Sequence, residues 1–261
     1  MVSALATAIL ALGPDVYLEL GDPNGPAASD SSGNGHAGVY NGVPQFGLDG
    51  VPGSGNTAIC FYPQSVPTPH NVSVPAGHMD FTSFSAMIFC RVYNAPPPVS
   101  PESIMSCSAV NTAGWFLQRP VAAAEPAFGM FNPAGGINSI AFSGGLGALL
   151  RQWVQFTCVW DNALLTQSLY INGRLGAQST FASRGTVSAT AGRIGDFGPR
   201  APDTQPYTSD AAQFAIFSRA LGLADIQSAY SAAGTIPTTG APGVDSSDLL
   251  NKIYAAVHKV Y

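Results

Sequence analysis

Along most of the chain, apolar residues recur at every second position in short runs. Val154, Phe156, Cys158 and Trp160 alternate with Gln155 and Thr157, the period of two expected of a strand that packs one face on a core. The same pattern places Val16, Leu18 and Leu20 on one side of a first strand, with Tyr17 and Glu19 on the other. Further strands are predicted at Ala58–Tyr62, Phe84–Tyr93, Ser103–Ser108, Gly114–Gln118, Ala127–Phe131, Ile137–Phe142 and Ala212–Phe217. Asp161-Asn162 opens a turn into a strand over Gln167–Ile171. Asn172-Gly173, the dipeptide most suited to a type I′ hairpin turn, then pairs that strand with one starting at Arg174. A short strand about every 8 to 15 residues, with no helix between, is the layout of a two-sheet sandwich.

The period changes near the ends. Ala4–Leu12 reads as a helix stopped by Gly13-Pro14, and Leu223–Ala232 as a second helix that ends near Gly234. Residues 235–244 consist of linker-type residues without periodicity. Asp245, Ser246, Ser247 and Asp248 can cap a last helix, on which Leu250, Ile253, Val257 and Val260 recur at three-four-three spacing. The predicted organisation is a helix at 1–13, a β domain at 14–234, a linker at 235–244 and an amphipathic helix at 245–261.

Composition sharpens this picture. Only 10% of the 261 residues are charged, while 29 Gly and 21 Pro interrupt every segment, so salt-laced surface helices cannot be the main architecture. With a net charge of −5 and its two lysines, Lys252 and Lys259, near the end, the chain offers no basic patch for nucleic acid. No apolar run is long enough to cross a membrane. No Lys or Arg precedes Arg91, so the apolar opening lacks the charged start of a signal peptide, and the expectation is synthesis in a host cytoplasm without export. Cys60, Cys90, Cys107 and Cys158 lie in apolar runs without metal-ligand spacing and are read as free thiols packed as small hydrophobes; one or two disulfides are the alternative. Asn71-Val72-Ser73 is a lone glycosylation sequon of the kind that arises by chance.

Four stretches, in order, resemble the LamG-like domains of the concanavalin A-like jelly-roll superfamily. They are the opening Leu10–Asp22, the loop Asp30-Ser31-Ser32-Gly33-Asn34-Gly35-His36-Ala37-Gly38, the hairpin from Trp153-Val154-Gln155-Phe156 to Leu169-Tyr170-Ile171-Asn172-Gly173, and the closing Phe214–Leu221 with Ile226 and Tyr230 beyond. The resemblance covers about residues 10 to 234 and implies an all-β, two-sheet antiparallel jelly roll whose first and last strands are neighbours. The helices at either end would add to that sandwich. The general layout is also similar to that of bacteriophage minor tail proteins.

The resemblance further implies a structural calcium ion, for which Asp30 and Asp210 are the candidate ligands; Ala212-Gln213 stands where relatives carry an acidic pair. No other cofactor is required. Hydrolases of the superfamily need two carboxylates on one strand face, but the three Glu residues, Glu19, Glu102 and Glu125, are scattered, so no enzyme is expected. His36, His70, His78 and His258 are dispersed and read as loop or surface residues, and Gly33, Gly35 and Gly38 as turn residues. Tyr62, Trp115 and Tyr207 lie beside predicted loops and are the candidates for stacking on a sugar ring. The Leu250, Ile253, Val257 and Val260 seam suits self-association, for example as a trimer, docking on a larger assembly, or folding back on its own sandwich.

The function expected from these features is non-enzymatic: a structural protein of a bacteriophage virion, in its tail or an appendage. Its partners would be other tail proteins, copies of itself and a host-surface glycan. The alternative is a free bacterial carbohydrate-binding module.

Overall fold

The Asn172-Gly173 signal marks a hairpin in the structure: φ is 51° at Asn172 and 72° at Gly173, and Ile171 faces Arg174 across the turn. The positive φ at both central residues is what a type I′ turn demands. The computed structural model describes residues 2–61, 70–92, 102–109, 113–120, 125–143, 149–187, 191–195 and 209–234. Within these, the elements in chain order are α1 (Ala4–Ala11), β1 (Val16–Leu18), β2 (Ala27–Ala28), β3 (Gly38–Asn41), β4 (Gln45–Asp49), β5 (Thr57–Phe61) and β6 (Asn71–Val74). They continue with β7 (Phe84–Val92), β8 (Glu102–Ala109), β9 (Ala113–Arg119), β10 (Ala127–Phe131), β11 (Ile137–Ala141), β12 (Trp153–Asp161), β13 (Thr166–Ile171), β14 (Arg174–Thr180), β15 (Gly192–Ile194), β16 (Ser209–Phe217) and α2 (Leu223–Ala232).

Two antiparallel sheets face each other. The first has the order β14-β13-β12-β7-β16-β5-β4, with β1 added to β16 through Val16–Ile216, Tyr17–Ala215 and Leu18–Phe214. The second has the order β11-β10-β9-β8-β15-β6-β3-β2. The first and last strands are thus neighbours, as the resemblance implies. Between the sheets lies the main core. Val154, Phe156, Cys158 and Trp160 of β12 meet there with Phe84, Ile88, Leu117, Phe128, Ile194 and Phe214.

The outer face of the first sheet is also apolar. Tyr17, Met87, Phe89, Trp153, Ala212, Ala215 and Phe217 point away from the sandwich core and pack under Leu5, Ala6 and Ile9 of α1 and Ile226 and Ala229 of α2. Tyr17, expected on a polar strand face, is therefore fully buried. Its hydroxyl donates to Gln213 Oε1, and burial, with Glu19 nearby, pushes its ionisation up. Helix α1 begins at Ser3, whose hydroxyl accepts from the Ala6 N–H at 3.0 Å. Arg219 joins the two helices at the surface: its guanidinium donates to Asp225 Oδ2 of α2 at 2.9 Å and to the Leu12 carbonyl after α1 at 3.3 Å.

All four cysteines are free and buried. Burial pushes the thiol of Cys107 up to about 12, with Asp80 adding to the effect, and raises those of Cys60 and Cys158. Asn71, the sequon residue, is 1% exposed and accepts from Asn41 Nδ2 at 2.8 Å, so it offers no site for a glycan. No described helix is long and apolar enough to cross a membrane. The linker at 235–244 and the Leu250, Ile253, Val257 and Val260 seam lie outside the described residues.

Candidate functional site

Two places concentrate polar chemistry. The first is at one rim of the sandwich. Asp15 enters β1 with its N–H donating to the Ile216 carbonyl at 2.8 Å, which fixes where its side chain leaves the backbone. The loop after β2 then folds over it. Asp30 accepts the N–H groups of Tyr17 and Ser32 on Oδ1 (3.0 Å each), and on Oδ2 the His36 N–H and the Ser32 hydroxyl (2.8 Å each). Burial alone would raise the Asp30 pKa; these four donors outweigh it and hold the carboxyl below its usual range. Asn34 Nδ2 donates to the Asp15 carbonyl at 2.9 Å and closes the loop on the strand.

This loop sets His36 against Asp15, with Nδ1 3.1 Å from the Asp15 carbonyl and 3.7 Å from its Oδ2. His78, in the β6–β7 connection, places its Nδ1 2.8 Å from the same Oδ2. The two imidazoles stack with centroids 3.6 Å apart. All three side chains are about a quarter exposed. No linear motif marks this group, because its members are 21 and 42 residues apart and share no ligand spacing. The one available signal was indirect: the Asp30-to-Gly38 loop carries His36, and in the predicted fold it borders the first strand.

The second place is the outer face of the second sheet. Its register lines up Val39, Ser73, Arg193, Ser106, Phe116 and Gly129 across six strands, all pointing away from the core. Asn41 donates to Ser73 Oγ at 2.7 Å beside this row, and Gln118 flanks Phe116 one pleat along β9. Asn41, Ser73, Arg193 and Gln118 are half-buried, whereas Ser106 and Phe116 are buried, the Phe116 ring packing on Phe131 with centroids 5.6 Å apart. The two sheets thus differ on their outer sides: one is apolar and roofed by helices, the other carries amides, hydroxyls and a guanidinium.

The residues singled out in the sequence fare differently. Trp115 is fully buried, stacked 5.0 Å from Phe84, with its indole N–H donating to the Met79 carbonyl at 2.8 Å; as a core residue it cannot stack on a sugar. Tyr62 and Tyr207 lie outside the described residues. The structure places Asp30 and Asp210 apart. Asp30 bridges Leu18, which faces Phe214, four residues beyond Asp210 on β16, and both Asp30 oxygens are filled by donors. Asp210 is fully buried and its Oδ2 accepts from Arg91 Nε at 2.8 Å, forming an ion pair. Of the glutamates, Glu102 is paired with Arg119 at 2.8 Å, and Glu19 accepts from Ser31 at 2.8 Å and from Asn56.

Comparison with solved structures finds the same sandwich in the receptor-binding domain of botulinum neurotoxin type G (18% identity over 84% of this chain and 51% of that chain, TM-score 0.63). It also finds it in the binding domain of Paraclostridial Mosquitocidal Protein 1 (16%, 85% and 52%, TM-score 0.64). A third is the binding domain of botulinum neurotoxin DC in complex with SialylT (16%, 87% and 53%, TM-score 0.65). The chain spans about half the length of these chains, and identity at this level shows a shared fold. No curated protein matches the sequence. The sequence pattern of the concanavalin A-like lectin/glucanase superfamily matches residues 68–227, more than half of the chain; with the two-sheet jelly roll around it, the protein belongs to that superfamily.

Proposed function

We propose that the protein is a non-catalytic binding module that engages a carbohydrate or a glycan-bearing receptor through the outer face of its second sheet. The observation that carries this reading is the difference between the two outer faces. Helices α1 and α2 consume the first with apolar packing, while the second presents half-buried Asn41, Ser73, Arg193 and Gln118. Amides and a hydroxyl match the alternating donors and acceptors of a sugar, and a guanidinium suits an acidic one. The botulinum neurotoxin DC structure in complex with SialylT, and the receptor-binding domain of type G, support the class of ligand. The finer reading, a tail or appendage protein of a bacteriophage virion, is supported by the layout and composition of the chain; a free bacterial carbohydrate-binding module is the alternative.

A glycan array probed with the full chain tests the proposal, with Arg193→Ala and Gln118→Ala as variants checked for folding by circular dichroism. Binding of a glycan by the wild type, reduced about tenfold or more in either folded variant, supports it. Wild-type binding retained by both folded variants, or no glycan bound at all, overturns it.

A further inference from the structure

The rim cluster has a geometry that a hydrogen-bonded pair alone does not require. His78 Nδ1 at 2.8 Å from Asp15 Oδ2 makes a complete hydrogen-bonded pair without any third group. A second imidazole, His36, stacks on the first, with its Nδ1 3.1 Å from the Asp15 carbonyl and 3.7 Å from the same Oδ2. The ligand atoms of the three residues lie within 4.8 Å of one another. A tetrahedral ion with bonds of about 2.0–2.1 Å places neighbouring ligand atoms about 3.3 Å apart. The two distances to Oδ2 bracket that value.

We propose that Asp15, His36 and His78 bind a divalent transition-metal ion of the Zn²⁺ class. The donor set decides the class: two imidazole nitrogens and one carboxylate oxygen favour Zn²⁺, Co²⁺ or Ni²⁺, whereas Ca²⁺ and Mg²⁺ take oxygen shells. Three protein ligands leave at least one position for water or for an oxygen of a ligand. Each ligand is held by its own backbone. The Asp15 N–H is fixed on Ile216, the His36 N–H on Asp30, and the His78 N–H on the Pro75 carbonyl at 3.4 Å. The ion would join the start of β1 in the first sheet to loops that lead into β3 of the second sheet and β7 of the first. This site is separate from the polar sheet face proposed for glycan binding and is tested apart from it.

The experiment uses the full chain, freed of metal by a chelator and titrated calorimetrically with Zn²⁺ alone. The site predicts one tightly held equivalent, a Co²⁺ adduct with the intense visible absorption of a tetrahedral ion, and a higher Tm with Zn²⁺ than without. In a His36→Gln/His78→Gln double variant that retains its circular dichroism spectrum, affinity falls by more than about 100-fold, while His258→Gln binds as the wild type does. In the wild type, bound Zn²⁺ also shields His36 and His78 from diethyl pyrocarbonate, read by peptide mass, which tests the site even if the double variant does not fold. Absence of a stoichiometric Zn²⁺ equivalent, wild-type affinity in the folded double variant, or protection of His258 alone overturns the proposal.

Discussion

Arg184 shows how few charges this chain uses and how deeply it places them. Its guanidinium sits 5.2 Å above the Phe84 ring and donates to Asp80 and to the Phe81 carbonyl, while Asp80 also accepts the Val187 N–H. The side chains of Arg184 and Asp80 are 3% and 0% exposed. Removing one partner of such a pair strands the other charge away from water. Arg184→Ala is therefore expected to destabilise the fold by roughly 3–5 kcal/mol in urea titrations; a loss under about 1 kcal/mol would show that the pair is not buried in solution. Glu102 gives a test with a definite pH sign. Burial pushes its carboxyl above the ordinary 4.5, against the pull of Arg119. The stability it contributes is fully present below 4.5 and is lost as pH rises through the raised value. Glu102→Gln, which does not titrate there, should gain on the wild type across that window. Urea titrations of both proteins at a series of pH values check this, and a difference independent of pH would contradict it.

At the scale of elements, the structure separates what a linear pattern can carry from what it cannot. Strands β1, β5, β7 to β13 and β16 are legible as short apolar or alternating runs, and β14 through the turn before it, because Asn172-Gly173 has few alternatives. Helices α1 and α2 followed from their stop signals. Strands β2, β3, β4, β6 and β15 are not legible. β2 and β15 have two and three residues, β3 starts at a glycine, β4 holds Gly47 at its centre, and β6, though Val72 and Val74 alternate with Asn71 and Ser73, is only four residues long, so none stands out as a strand. The sheet register likewise decides Trp115, whose loop-side position in the sequence suggested exposure but whose strand phase turns it into the core. The Asp15, His36 and His78 group was beyond reach for a different reason: it exists only where three connections meet. Helix α1 was read correctly as a helix but not as a layer of the domain. Ile9 is fully buried against the first sheet, so Ile9→Ala should cost about 2–5 kcal/mol. A variant as stable as the wild type would mean that α1 is docked elsewhere.

For the whole molecule, the two sheets share one main core and the helices seal a second, so the described domain is expected to unfold in one cooperative transition. Far-ultraviolet and near-ultraviolet circular dichroism, the latter reporting buried Trp115 and Trp160, should share a midpoint. Alkylation of Cys107 and Cys158 should begin only with that transition, since both thiols are buried and held protonated. Separate midpoints would divide the domain into independent units.

The pairing of α1 with α2 also sets the direction in which the module is displayed. Both helices lie on the outside of the first sheet, so the chain enters the described domain and leaves it at residue 234 on the same side of the sandwich. The amide- and guanidinium-bearing sheet looks the other way. A label, tether or surface attached at either of these points would hold the domain by its back, and the polar face would meet whatever approaches from the front.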